Sequence, residues 1–269
     1  MSGLETLNAL PVWALAAIVV GLSVIFSVGL QLIVRWYFGV DIIAANHEVA
    51  GFKFAVVGVA YAVLLAFVVV SVWEEFESTQ RAVRAEAERF YNVYRTSYIF
   101  PDDTGKKMRD ALMAYAIAVR DQDWPEMELG RRGSDAAAQA FTRLSYTVGQ
   151  TKSEDIALLP SILHAINLLQ EVADLRLERL SDVGGRVTPV IWGVLLLGGI
   201  ITLAYPAFFA TTKVVPQILM TAGLAMIIGA TFFLTVNLNY PFSGPERVTS
   251  EPIDQVIQRM REEDAAGGH

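Results

Sequence analysis

Apolar residues in this chain gather into four long runs, separated by one long stretch of mixed character and followed by a polar tail. The runs are Pro11–Val34, Val49–Val72, Pro189–Ala210 and Pro216–Val236, and none carries a central charge. Each is long enough to cross a hydrocarbon layer roughly 30 Å thick at about 1.5 Å per residue. Lipid offers no partner for backbone N–H and C=O groups, so a spanning run must satisfy them internally and is expected to be a helix. No Lys or Arg precedes the first run. Its apolar core is also too long for a signal peptide, so it is expected to stay as an anchor.

The long stretch between the second and third runs keeps a helical period. From Trp73 the second span is expected to continue to about Tyr98, with Phe76, Val83, Ala87, Phe90 and Tyr94 forming one apolar stripe. Pro101–Asp103 ends it, and Asp102 and Asp103 read as loop. A helix over Lys106–Arg120 would bury Met108, Leu112, Tyr115 and Val119. The segments DQDWPEMELG and RRGS read as loops. Ser134 is placed to cap a helix carrying Phe141, Leu144 and Val148. The last helix of the stretch, about Ser153–Asp182, would turn Ile156, Leu159, Leu163, Ile166, Leu169, Val172 and Leu180 inward. Gly184 and Gly185 break it, and Pro189 takes a favoured first position of the next helix. The final REEDAAGGH reads as disordered. No strand-like alternation and no longer repeat occurs.

The expected fold is therefore all-α. It is an integral membrane protein with four transmembrane helices and a helical cytoplasmic domain. Residues 1–72 hold transmembrane helices 1 and 2, 73–186 the cytoplasmic domain, 187–238 helices 3 and 4, and 239–269 a cytoplasmic tail.

Composition sharpens this reading. Charged residues make up 18% of the 269, where a soluble domain carries about 25%. Mean hydropathy is +0.42. Of the 21 Lys and Arg, 15 lie in Trp73–Arg186, and Arg247, Arg259 and Arg261 lie in the tail. The other three are Arg35 and Lys53, beside the first loop between spans, and Lys213 in the second. With four crossings, the middle stretch and both termini share one side, and the positive-inside rule makes that side cytoplasmic. Trp36, Tyr37, Trp73 and Trp192 fall where an interfacial aromatic belt would. The net charge of −7 argues against nucleic acid as a partner. The absence of cysteine removes disulfides, thiolate metal sites and thiol nucleophiles.

Two features of the second span bear on function. On a helix of 3.6 residues per turn, Gly51, Ala55, Gly58, Ala62 and Ala66 share one face. Small residues mark close helix approach in lipid, so this face is either a packing seam or the lining of a pore shared by several copies. Glu74, Glu75 and Glu77 follow at the end of the span. They are either a solvated helix end or, repeated in a ring, an acidic mouth that concentrates cations.

Other chemistry is sparse. The histidines are His47, His164 and His269; the first reads as interfacial and the second as a packing residue. No phosphate loop, HExxH or Gly-x-Ser-x-Gly occurs. Catalysis is not expected, nor is a cofactor or metal. Arg176 and Arg179, near Asp174 and Glu178, suit ion pairs within or between subunits, with lipid headgroup contact as the alternative. Asn237 is expected to hydrogen-bond a neighbouring helix.

The strings NHEVAGFKFAVVGVAYAVLLAFVVVSVWEEFE, RLERLSDVGGRVTPVIWGVLLLGG and LNYPFSGP, in this order, resemble the bestrophin-like family of bacterial membrane proteins. That family is distantly similar to bestrophin channels. The resemblance implies a pentameric ion channel of the bacterial inner membrane, with cytosolic termini and a pore lined by the second span. Counting back from Trp73, it places a neck near Ala55, Val59 and Val63, which extends the candidate lining to Gly51, Ala55, Gly58, Val59, Ala62, Val63 and Ala66. It implies passage of monovalent ions, and the glutamates favour cations. The chain departs from true bestrophins in its small neck residues. It also departs in SGPERVTSEPID, where Glu246, Glu251 and Asp254 are too spread for a calcium clasp, so no calcium gating of that kind is expected. The expected partners are membrane lipid, monovalent ions and further copies of the chain. A non-conducting scaffold that binds a partner through its cytosolic helices, or a lipid-binding protein, would share the same hydropathy.

Overall fold

The computed structural model describes residues 11–40, 47–151, 155–209, 211 and 213–266, the side chains of His47, Glu48 and Asp102 excepted. All regular structure among them is helical: α1 (Val12–Phe38), α2 (His47–Ser97), α3 (Asp102–Ala118), α4 (Trp124–Glu128), α5 (Asp135–Gly149), α6 (Leu159–Ser181), α7 (Pro189–Ala204), α8 (Val214–Asn239) and α9 (Glu251–Ala266). Four stretches are long and apolar enough to cross a membrane: Val12–Phe38, Val49–Ser97, Ile156–Phe208 and Val214–Asn239. They cover nearly all of the four apolar runs, and the chain is an all-α, multi-pass membrane protein. It divides into two compact units. Among the described residues, one comprises residues 11–75 and Arg186–Asn239, the other Phe76–Gly185 and residues 240–266.

In the spanning unit α1 packs chiefly on α8. The approach is close at Gly229, where a Cβ would stand 2.8 Å from Ser23 Oγ and 3.1 Å from Val20 Cα. Ser27 is fully buried and donates to the Leu203 carbonyl at 2.6 Å. The Tyr61 ring of α2 lies on Gly198 and Gly199 of α7, and its hydroxyl donates to the Leu195 carbonyl at 3.2 Å. Without a hydrophobic drive between helices in lipid, such close contacts and hydrogen bonds hold the bundle. Asn239 ties the end of α8 to another segment, accepting from the Val187 N–H at 3.0 Å.

The second unit has a contiguous core of its own. Val83, Phe90 and Tyr94 of α2 meet Leu112 and Tyr115 of α3, Leu144 and Val148 of α5, Val172 of α6 and Ile257 of α9. Ser134 caps α5 by accepting from the Ala137 N–H. The turn of LNYPFSGP belongs to this core: Phe242 meets the Trp124 ring edge-on at 5.9 Å, and Ser243 donates to the Glu128 carbonyl at 2.9 Å.

Several expectations are corrected here. Asp102 and Asp103 open α3, and Asp103 pairs with Lys107 at 2.6 Å. DQDWPEMELG is mostly helical: a π-turn over Val119–Asp123 leads into α4, because Asp123, Trp124 and Met127 are all buried. The inward face of α6 is Ile162, Ala165, Leu168, Leu169 and Val172, while Ile156, Leu159 and Leu163 are exposed. Apolar residues ring this helix, so the period alone could not choose the packed side; a small alanine and a buried arginine mark it instead. His164 is exposed rather than packed in the interior. REEDAA is the end of α9, since Ile253, Val256, Ile257 and Met260 recur at helical spacing and are buried. Residues 267–269, including His269, and the His47 side chain lie outside the described residues.

Candidate functional site

The two sides of α2 in the spanning unit differ sharply. Tyr61 and Leu65 are each 6% exposed, held against α7 and α8. Val59 and Val63 are 64% and 50% exposed, and Ala55, Ala62 and Ala66 are exposed beside them. Gly51 and Gly58 sit at the margin of this face, half-buried. Nothing lies within 4 Å of a Cβ built on Gly58, whereas one on Gly198 would meet the Tyr61 ring at 2.6 Å. The seam inside the chain therefore uses the glycines of α7 and the tyrosine of α2. The small stripe of α2 is not spent on it.

The three glutamates are not equivalent. Glu75 accepts from Arg186 Nε at 2.7 Å. Glu77 pairs with Arg81 at 3.3 Å, one turn on, and both side chains are well exposed. Glu74 is exposed and has no ion pair among the described residues. Helix register separates them further. At 100° per residue, Glu77 falls eleven residues, about three turns, beyond Ala66 and on its side of the helix, while Glu75 falls on the far side. An exposed pair such as Glu77–Arg81 contributes about 0.2–1 kcal/mol and exchanges readily with water and ions.

A second polar group gathers around an arginine that the sequence suggested for ion pairing, with partners that it did not suggest. Arg179 is fully buried in α6. Its Nε donates to Glu86 Oε2 at 2.6 Å and its Nη2 to Asp123 Oδ2 at 3.2 Å. Tyr115 donates to Glu86 Oε1 at 3.0 Å, and the Ser134 N–H and hydroxyl donate to Asp123 Oδ1. Arg176 Nη2 stands 3.9 Å from Asp123. Burial, then the charge of Glu86, push the Tyr115 phenol well above its ordinary value. Arg176 and Arg179 thus make ion pairs inside one chain, and the burial of Arg179 rules out its contact with a headgroup. Glu86 and Asp123 looked like two surface carboxylates among many. The available signals were that Glu86 follows Val83 on the inward side of α2 and that Asp123 precedes Trp124. Among the described residues no group of three or more metal-ligating side chains forms.

A bundle of four apolar helices joined to a helical polar unit defines a class of multi-pass membrane protein. The particular family is settled by sequence: the Bestrophin-like domain matches residues 21–253, nearly the whole chain, which therefore belongs to the bestrophin-like family. Solved structures agree on the fold. One variant of the bacterial bestrophin homolog from Klebsiella pneumoniae superposes with a TM-score of 0.71 at 14% identity, over 92% of this chain and 98% of that one. A second variant of the same homolog gives 0.70 at 13% identity, over 91% and 97%. A crystal structure of a variant membrane protein gives 0.67 at 13%, over 92% and 97%. No curated protein matches.

Proposed function

We propose that this chain is a subunit of a homo-oligomeric ion channel that conducts monovalent ions passively, favours cations, and lines its pore with α2. The observation that carries the proposal is the open small-residue face of α2, Ala55, Val59, Ala62, Val63 and Ala66, beside a Tyr61 face packed against the chain's own helices. Several copies meeting on that face would enclose an axis narrow enough to strip part of an ion's water. Glu77 lies in register with the lining, and Glu74 stands a little around the helix. A ring of such carboxylates raises the local cation concentration. Family membership supports the channel reading, and the resemblance favours a pentamer. Charge distribution favours the bacterial inner membrane with both termini cytoplasmic.

The test is conduction. Purified protein in planar bilayers is expected to give single-channel currents whose reversal potential follows the sodium or potassium gradient. Glu74→Gln, Glu75→Gln and Glu77→Gln together are expected to lower the cation-to-anion permeability ratio about tenfold. An unmoved reversal potential removes the carboxylates from selectivity, and silent bilayers containing intact oligomer remove the channel. A second reading, a scaffold that docks a partner, draws on one observation: Leu159, Leu163 and Leu177 of α6, and Ile156 in the turn before it, are exposed at 52%, 54%, 68% and 84%. Flux together with crosslinked oligomer size separates the two.

A further inference from the structure

In the spanning unit, where α1 ends and α8 begins, a pocket of about 390 Å³ opens between α2, α8 and the turn after α7. Its wall is mainly apolar, with Phe54, Phe209, Met220 and Leu224, and the side chains of Gln217 and Thr221 supply polar atoms. Gln217 is buried, its amide donating to the Phe209 carbonyl.

Beside this wall stands Arg35 near the end of α1. Its Nη1 donates to the Thr211 carbonyl at 2.7 Å and to Gln217 Oε1 at 3.1 Å, and both of those residues line the pocket. Both acceptors are neutral. Arg35 has no carboxylate partner among the described residues, although it is half-buried. A half-buried guanidinium bonded, among the described residues, to neutral oxygens carries charge that can still take an anion. Its Nε and Nη2 make no bond among the described residues and are free to form a fork on one. Lys213, two residues beyond Thr211, is exposed and adds to the positive field. Trp36 and Tyr37, 85% and 75% exposed, directly follow Arg35, so the cation falls at the depth where aromatic side chains meet lipid headgroups.

An apolar pocket, a cation held at its wall and an interfacial depth together describe one kind of ligand. We infer that this pocket binds an anionic membrane phospholipid, one acyl chain against Phe54, Met220 and Leu224 and the phosphate on Arg35. The two halves of the ligand suit the two halves of the site: the acyl chain supplies apolar area and the phosphate supplies a counter-charge for Arg35. The site stands independently of conduction.

The experiment uses full-length protein purified in detergent, exchanged against phosphatidylglycerol or phosphatidylcholine, with retained lipid counted by native mass spectrometry. Wild type is expected to retain phosphatidylglycerol in preference to phosphatidylcholine. Arg35→Gln should weaken that preference about fivefold, and Arg35→Lys, which keeps the charge, should preserve most of it. Leu224→Trp, which fills the pocket, should reduce retention of both lipids. Melting temperature, followed in parallel, shows that each variant is folded. Retention that is equal for both lipids in wild type, or a preference unchanged in Arg35→Gln, overturns the proposal. So does displacement of phosphatidylglycerol by millimolar inorganic phosphate with Leu224→Trp behaving as wild type, because that result assigns Arg35 to a soluble anion.

Discussion

Arg179 shows how one residue can hold together elements distant in sequence. Its guanidinium is shared by Glu86 of α2 and Asp123 of the π-turn, with no exposure on any of the three side chains. Removing charges from water costs several kcal/mol each, and the cost is offset only when every partner is present. Arg179→Met is therefore expected to lower stability by about 3–5 kcal/mol in a denaturant titration, because two carboxylates are left buried. Arg179→Met combined with Glu86→Leu should lose less than the two single variants together. Tyr115 adds a pH dependence. In the unfolded chain its phenol ionises near 10.0, while burial keeps it protonated in the fold. The folded state thus binds the extra proton above that pH. Its contribution is complete below 10.0 and declines as pH rises toward the higher folded value. Melting temperature measured from pH 9 upward should fall less steeply in Tyr115→Phe than in wild type.

Among elements, α2 is the one whose two faces do different work. One face buries Tyr61 on the glycines of α7, and a side chain at either glycine would occupy the ring's place. Gly198→Val should cost about 1–3 kcal/mol through overpacking. Tyr61→Ala in the same chain should recover part of that loss, which thermal unfolding of the purified single and double variants will show. The opposite face should tolerate Ala62→Val without loss of stability in the monomer but with reduced conductance. Further along the helix the register argument separates the glutamates. Glu77→Gln is expected to shift the reversal potential most. Glu75→Gln should shift it least and lower the melting temperature slightly, since it releases Arg186. Equal shifts from all three single variants would mean that register has no part in selectivity.

For the whole molecule, the consequence of the arrangement lies between copies. One chain presents the exposed side of α2, the exposed side of α6 and the pocket beside Arg35. Oligomer size in detergent, measured together with flux, should show whether conduction and assembly are lost together. Ala62→Trp is expected to abolish current, about a hundredfold or more, while leaving oligomer mass unchanged. Loss of the oligomer itself would place that face in subunit packing rather than along an ion path.

The amino-acid pattern alone determined the four spans, the helical class, the cap at Ser134 and the inward stripes of α2, α3 and α5. Each rests on local properties, namely the length of an apolar run, a period of 3.6 or a single side-chain oxygen. The packed side of α6, the helical course of Asp121–Glu128 and the ordering of α9 were settled only by tertiary structure. There apolar residues occur on more than one side, or polar residues are held by partners far along the chain. Glu86 and Asp123 are the clearest case. A carboxylate in a sequence is a solvated charge by default, and only a folded partner such as Arg179, 93 residues beyond Glu86, makes its burial favourable. The same holds for the small stripe of α2. Its composition was legible in the string of letters, but that its alanines stay exposed among the described residues depended on where Tyr61 and the glycines of α7 came to rest.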